Sequence, residues 1–233
     1  MIRLHQFPPV FGRNVSPFTL KLETWLRLAG LRYQIVPTRN PGQGPKGKLP
    51  FIEDDDGTVL GDSSLIIAHL MRTRGIDLDR ELSREQHAQA VALQRLVEDH
   101  FYFIGVWSRW VDPEGWQSFG PALFGSLARP LRPIIAAFVR RQVRNSLHAQ
   151  GLGRHSRTEL YAMGRADLEV LAVALNDRPF FFGEHPATID AIAYGCLDNL
   201  INLPIETELK RIARDFPNLA AYCARMTAHL DAI

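Results

Sequence analysis

The sequence predicts an α+β domain of βαβ-ββα order followed by a larger, all-helical domain. Three observations carry that expectation. Short β-rich runs alternate with helical ones up to about residue 75, and helical periodicity then runs from Ser83 to the C-terminus. The 233 residues are also enough for two modest units. The expected division is a domain over 1–74, a linker over 75–82 and a helical domain over 83–233.

Ile2 to Phe7 reads as a strand closed by the breaker pair Pro8-Pro9. Ser16-Pro17 then opens a helix, with serine at the cap and proline at the first helical position, where its missing N–H costs nothing. Phe18, Leu22, Trp25 and Ala29 fall on one face of it, and Gly30 ends it. Arg32 to Val36 is a second strand, parallel to the first because a helix separates them. After a Gly/Pro-rich loop over 37–48, Pro50-Phe51-Ile52-Glu53 and Thr58-Val59-Leu60 flank Asp55-Asp56-Gly57 as a hairpin. Asp62-Ser63 caps a further helix with Ile66, Ile67, Leu70 and Met71 on its core side. Beyond the linker, Ser83 with Gln86 and Ser156 with Glu159 fit capping boxes. Apolar stripes follow at Leu93/Leu96/Val97/Ile104, Leu168/Leu171/Leu175, Ile189/Ile192/Ala193/Cys196/Leu200 and Leu219/Tyr222/Cys223/Met226/Leu230. Asp112 to Pro133, rich in Gly and Pro, reads as a lid or irregular loop.

Composition narrows the function by exclusion. With 27 Lys+Arg against 25 Asp+Glu, the net charge of +2 gives no global case for nucleic-acid binding. No run approaches a membrane span, and the N-terminus lacks a secretory pattern. Two cysteines are too few for a disulfide scaffold or a zinc cluster, so a cytoplasmic setting is expected. Cys196 and Cys223 both lie on apolar stripes, which assigns them to packing. The histidines show no paired metal spacing, and no metal is expected.

Three local signals bear on chemistry. The N-terminus of the helix opened by Ser16 offers free N–H groups and a positive dipole end to an anion such as a thiolate, to which the Ser16 hydroxyl can donate. Lys48-Leu49-Pro50-Phe51-Ile52 puts proline at a strand start; in the cis form the Leu49 backbone would be open to a peptide-like ligand. Asp62-Ser63 begins another helix, where Ser63 can bind a carboxylate and Asp62 an ammonium. Taken singly, each is ordinary capping or an ordinary X-Pro strand start. In this order and spacing, they describe a thioredoxin-like layout.

With these residues the whole chain resembles the glutathione transferase superfamily. Ser16-Pro17-Phe18 looks like the start of a serine-type active site, Leu49-Pro50 like the cis-proline element, and Asp62-Ser63 like the acidic-Ser glutathione clamp. Residues 16–27 together with Gly47-Lys48-Leu49-Pro50-Phe51-Ile52 are similar to the failed-axon-connections/metaxin-like branch. The resemblance implies that Ser16 donates to the glutathione thiolate and that Leu49 pairs with the cysteinyl backbone. It puts Asp62 and Ser63 at the γ-glutamyl end and Lys48 at the glycyl carboxylate, with Phe18 and Pro50 also in the glutathione site. It implies an enzyme passing that thiolate to a small hydrophobic electrophile, glutathione as co-substrate, no metal and a homodimer. It equally allows a non-catalytic, metaxin-like binding protein, or a glutathione-dependent reductase or peroxidase.

Two positions depart from related patterns. Ser16 and Thr19 stand where thioredoxin-like redox proteins carry two cysteines, so every reactive sulfur must come from the ligand. The family commonly has Ser/Thr three residues before a helical Asp, whereas Ala187 precedes Asp190 here. Thr188 is therefore expected to cap one place late and re-register that helix. The aromatic stretch Phe101, Tyr102, Phe103, Trp107, Trp110 and Trp116 serves either the helix core or an apolar wall for the second substrate; for the wall, Phe103, Trp107 and Trp110 are the candidates. Arg140, Arg141 and Arg144, with Arg129 and Arg132, read as a solvated helix face.

Overall fold

A computed structural model describes residues 1–125 and 127–233. The N-terminal half is a four-stranded mixed sheet of order β2-β1-β3-β4, formed by β1 (Ile2–Gln6), β2 (Tyr33–Pro37), β3 (Phe51–Glu53) and β4 (Val59–Gly61). β1 runs parallel to β2 and antiparallel to β3, and β3 antiparallel to β4. The α/β crossover makes the parallel β1/β2 pair and the hairpin makes the antiparallel β3/β4 pair. Helices α1 (Pro17–Leu28) and α2 (Ser63–Arg74) cover the sheet. Ile2, Leu4 and Ile52 of the strands pack with Leu22, Trp25 and Leu26 of α1 and Ile66, Ile67 and Leu70 of α2. Gly30, at φ +65°, ends α1: its N–H bonds Arg27 O while the Leu31 N–H bonds Leu26 O, satisfying two of the last carbonyls.

The C-terminal half is helical. α3 (Arg84–Arg95) begins at the Ser83–Gln86 capping box and passes through a π turn (Leu96–Phe101) into α4 (Tyr102–Trp110). There follow α5 (Pro113–Phe124), α6 (Arg132–Gln150), α7 (Arg157–Leu175), α8 (Thr188–Ile201), α9 (Glu208–Ala213) and α10 (Pro217–Asp231). α8 is buried from Ile189 to Leu200, well beyond the stripe expected of it. It lies against α1 and adds Ala191 to the sheet-side core. Trp25 Nε1 donates to Thr188 Oγ1 (3.3 Å) and Arg13 pairs with Asp198 (2.8 Å), so the two halves share one packed seam. No helix among the described residues is long and apolar enough to cross a membrane.

Two expectations need correction. Most of the segment Asp112 to Pro133 is not a loop: Pro113 sits at the first position of α5, capped by Asp112, and Phe119 and Phe124 are buried. Proline there starts a helix rather than breaking one. α8 also keeps its register. Ala187 holds the cap position, and the Asp190 carboxylate accepts the Ala187 N–H (2.9 Å) and the Phe181 N–H (3.0 Å). The acid therefore supplies half of a capping box without a hydroxyl partner, while Thr188 turns its oxygen to Trp25.

Candidate active site

The strand register gathers the three sequence signals. His5, Phe51 and Gly61 form one row across β1, β3 and β4. The chain leaves β1 just past this row toward Ser16, enters β3 at it from Leu49-Pro50, and leaves β4 at it into Asp62-Ser63. All three segments therefore lie at one end of the sheet. The Leu49-Pro50 bond is cis; Leu49 and Pro50 are buried and Lys48 is exposed.

Ser16 caps α1 in an extended conformation, and its hydroxyl accepts the Thr19 N–H at 3.4 Å. So long a bond leaves the oxygen lightly committed and the O–H free to donate outward. Asn14 Oδ1 accepts the Ser16 N–H (3.0 Å), and Asn199 of α8 donates to Asn14 O (3.3 Å), which fixes the approach to the cap. At α2, the Asp62 carboxylate accepts the N–H groups of Ser64 (3.0 Å) and Leu65 (3.2 Å). Asp62 is exposed at φ +83°, and Ser63 beside it is buried.

Ser16 lines a cavity of about 850 Å³ between the two halves. Phe7 to Phe11, Val15 and Pro17 form one wall; Tyr102, Val106, Arg109 and Trp110 of α4, Phe119 and Leu123 of α5 and Ile135 and Val139 of α6 form the other. Of the three aromatic residues expected on this wall, only Trp110 lines it. Trp107 is in the core, edge-on to Tyr161 with ring centroids 5.8 Å apart. Phe103 packs beside Tyr102 off the cavity (5.1 Å). Phe18 does not line it either, lying against Tyr102 at 4.7 Å as a bridge from α1 to α4. The basic run is only partly solvated: Arg140 donates to Trp110 O (2.7 Å) and Val111 O (3.0 Å) and lies over the Trp116 ring, tying α6 to the end of α4.

Sequence reasoning missed Lys21, Glu98 and Arg109. Lys21 Nζ is buried and reaches Glu98 Oε1 (2.6 Å) and Ser64 Oγ (2.7 Å), while Gln94 Nε2 donates to both Ser64 Oγ (3.0 Å) and Glu98 Oε2 (2.7 Å). This network ties α1, the residue after Ser63 and the π turn together. A signal was present: Lys21 sits among Phe18, Leu22 and Trp25 on the apolar face of its helix, where a lone charge demands a partner.

Neither cysteine offers a thiolate. Burial pushes the Cys196 thiol up to about 12 and raises Cys223 further. Burial also pushes the Tyr102 phenol up to about 12, so it stays protonated. Asp54, Asp56 and His69 bring oxygen and nitrogen atoms within 4.8 Å of one another. Asp54, however, is already taken by His69 (2.9 Å) and Arg74 (2.5 Å), so the group reads as an ion-paired support for α2.

Known proteins resemble this chain in sequence and in fold. Residues 17–115 match the family model described as glutathione S-transferase N-terminal domain, and residues 164–226 match glutathione S-transferase, C-terminal domain. The isoprene-epoxide–glutathione S-transferase of Rhodococcus sp. strain AD45 is 34% identical over 99% of this chain and 100% of its own length. Failed axon connections of Drosophila melanogaster is also 34% identical, over 97% of this chain, which spans 57% of that longer protein. Metaxin-1 of Mus musculus is 28% identical over 91% of this chain and 69% of its own length. Among solved structures, the glutathione S-transferase of Ceriporiopsis subvermispora in complex with glutathione superposes with a TM-score of 0.67 at 18% identity. The match covers 99% of this chain and 96% of that one, and shows a common fold.

Proposed function

The chain belongs to the glutathione S-transferase family, and from that premise we propose that it joins the sulfur of glutathione to a small, apolar electrophile. The observation that carries the proposal is Ser16: a helix-capping hydroxyl, free to donate, at the floor of an apolar cavity between the two halves. Glutathione bound at the end of the sheet presents its sulfur to Ser16. The hydroxyl donates one hydrogen bond to the thiolate, and the positive end of α1 lowers the cost of holding the charge. The Leu49 backbone pairs with the cysteinyl residue, Ser63 and Asp62 take the γ-glutamyl carboxylate and ammonium, and Lys48 faces the glycyl carboxylate. The electrophile occupies the cavity walled by Val106, Trp110 and Phe119. A small epoxide suits that space, in keeping with the substrate in the name of the Rhodococcus relative. Rate then comes from an ionised nucleophile and from two substrates held together.

Because Cys196 and Cys223 are buried with raised thiol pKa values, a reductase or peroxidase cycle on this chain would draw every sulfur from glutathione. The likeness to Failed axon connections supports a second reading, a binding protein without turnover. Within the first reading, the protein is a homodimer of the cytoplasm, which sedimentation and cell fractionation check.

Calorimetric titration with glutathione, followed by conjugation of 1,2-epoxyhexane, tests the proposal. Ser16→Ala removes one hydrogen bond to an anion, worth about 1.5–3 kcal/mol. That corresponds to a fall in kcat of roughly 10- to 150-fold. Failure to bind glutathione, or an unchanged rate in Ser16→Ala, overturns it. Glutathione binding without turnover of epoxide or peroxide moves the conclusion to the binding reading.

A further inference from the structure

The cavity beside Ser16 contains a cation with no counter-ion among the described residues. Arg13, Arg74, Arg157 and Arg211 each meet a carboxylate. Arg109 of α4, among the described residues, meets none. Its Nη2 donates to Asn199 O at 2.6 Å, while Nη1 makes only long contacts, 3.4 Å each, to Val15 O and Asn199 Oδ1. Val15 precedes Ser16, so the weakly held end of the guanidinium lies beside the hydroxyl proposed to hold the thiolate. The surroundings are apolar: Val106, Trp110, Phe119 and Leu200 line the same cavity. Burial pulls the guanidinium down to about 10, low for arginine and still charged at neutral pH. A desolvated charge held only by neutral partners is costly, and an incoming anion relieves that cost.

We propose that Arg109 receives the negative charge that develops on the electrophile, so that the cavity selects small apolar substrates whose reacting bond ends as an oxyanion, epoxides foremost. The proposal rests on the transferase reading and adds a catalytic residue and a substrate class to it. The glutathione sulfur attacks an epoxide carbon; the C–S bond forms as the C–O bond breaks, and the oxygen keeps the bonding pair. Arg109 Nη1 donates to that oxygen, which takes a proton from water. The product is a β-hydroxy thioether, and the proton given up when the thiol ionised balances the one consumed. Preformed donors aimed at developing charge in an apolar site are usually the largest single contribution to a rate.

The test compares two electrophiles of similar size in the full-length protein, 1,2-epoxyhexane and 1-iodohexane. The first ends as an alkoxide; the second releases iodide, a poor hydrogen-bond acceptor. Arg109→Gln should lose about 100-fold in kcat on the epoxide, at least tenfold more than its loss on the iodide. Arg109→Lys, which keeps the charge but not the fork, should fall between. Calorimetric affinity for glutathione should hold in both variants. Equal losses on the two electrophiles would assign Arg109 to the thiolate and overturn the proposal, as would an unchanged epoxide rate. Wild-type protein inactive on both would strike the transferase reading itself. Hexanoate, an apolar tail with a carboxylate, then decides the anion seat alone: calorimetric binding to wild type and not to Arg109→Gln sustains it, and equal or absent binding overturns it.

Discussion

Substituting Gly195 tests how the helical half positions Ser16, the proposed donor to the thiolate. Gly195 lies where α8 crosses the first turn of α1. A Cβ built there would stand 2.6 Å from Pro17 O, 2.9 Å from Lys21 N and 3.2 Å from Lys21 Cα. All three are helix backbone atoms, which cannot swing aside as a side chain does. Moving Pro17 O from 2.6 Å to the 3.4 Å at which ordinary contact begins takes a retreat of about 0.8 Å. Overpacking of this kind costs about 1–3 kcal/mol. For a chain of this size that lowers Tm by roughly 2–12 °C. The retreat also carries Ser16, the neighbour of Pro17, away from the position it caps. A misplacement near 1 Å can cost on the order of 100-fold in rate. Gly195→Ala is therefore expected to lower both Tm, followed by circular dichroism, and kcat at saturating glutathione, measured well below the transition. Gly105→Ala is the stability control: beyond its chain neighbours and its own helix backbone, no atom lies within 4 Å of its Cβ position, so helix propensity alone should add about 0.5–1 kcal/mol. A Gly195→Ala protein with wild-type Tm would refute the packing argument. A lowered Tm with wild-type kcat would refute the link from α8 to Ser16.

Trp107→Ala should cost about 3–5 kcal/mol of stability as a core truncation, whereas Trp110→Ala should chiefly raise KM for the electrophile; equal effects on Tm and KM would contradict their placement. Lys21→Met leaves the Glu98 carboxylate buried and unpaired, at a cost of about 3–5 kcal/mol. Adding Glu98→Gln should recover most of that in urea unfolding, and no recovery would mean the pair is not the source of the loss. Burial pushes the Asp190 carboxyl up to about 6, against an ordinary value of 3.8. The folded protein then holds this proton more tightly than the unfolded chain does, so the contribution is full below pH 4 and lost as pH rises through 6. Wild type should gain on Asp190→Asn by at most about 3 kcal/mol as pH falls from 7 to 4. An unchanging difference between their urea midpoints would refute the shift.

How much of this was legible follows from the range of each signal. The Ser16-Pro17 start of α1, its stop at Gly30, and the capping boxes at Ser83 and Ser156 are local, written within four or five residues, and the structure has them at those positions. Trp107 and Trp110 are three positions apart, and one is core while the other lines the cavity. The π turn over 96–101 makes the difference hard to foresee: an extra residue in one turn shifts the helix phase by about 100°. Asp112 to Pro133 misled for a related reason, since proline at a first helical position and proline in a loop look alike until the cap is seen.

The sequence by itself determined the βαβ-ββα order, the helical C-terminal half, the starts of α1, α2, α3 and α7, and the three segments that could meet a peptide-like thiol. These rest on capping, turn residues and periodicity, which act between near neighbours. Only the tertiary structure decided that those segments share one end of the sheet, because that depends on the pairing of His5, Phe51 and Gly61 across three strands. It alone decided that Lys21 meets Glu98, 77 residues away, and that Arg109 meets no carboxylate among the described residues. Burial turns a charge into a structural tie when a partner arrives with it, and into a seat for an anion when none does.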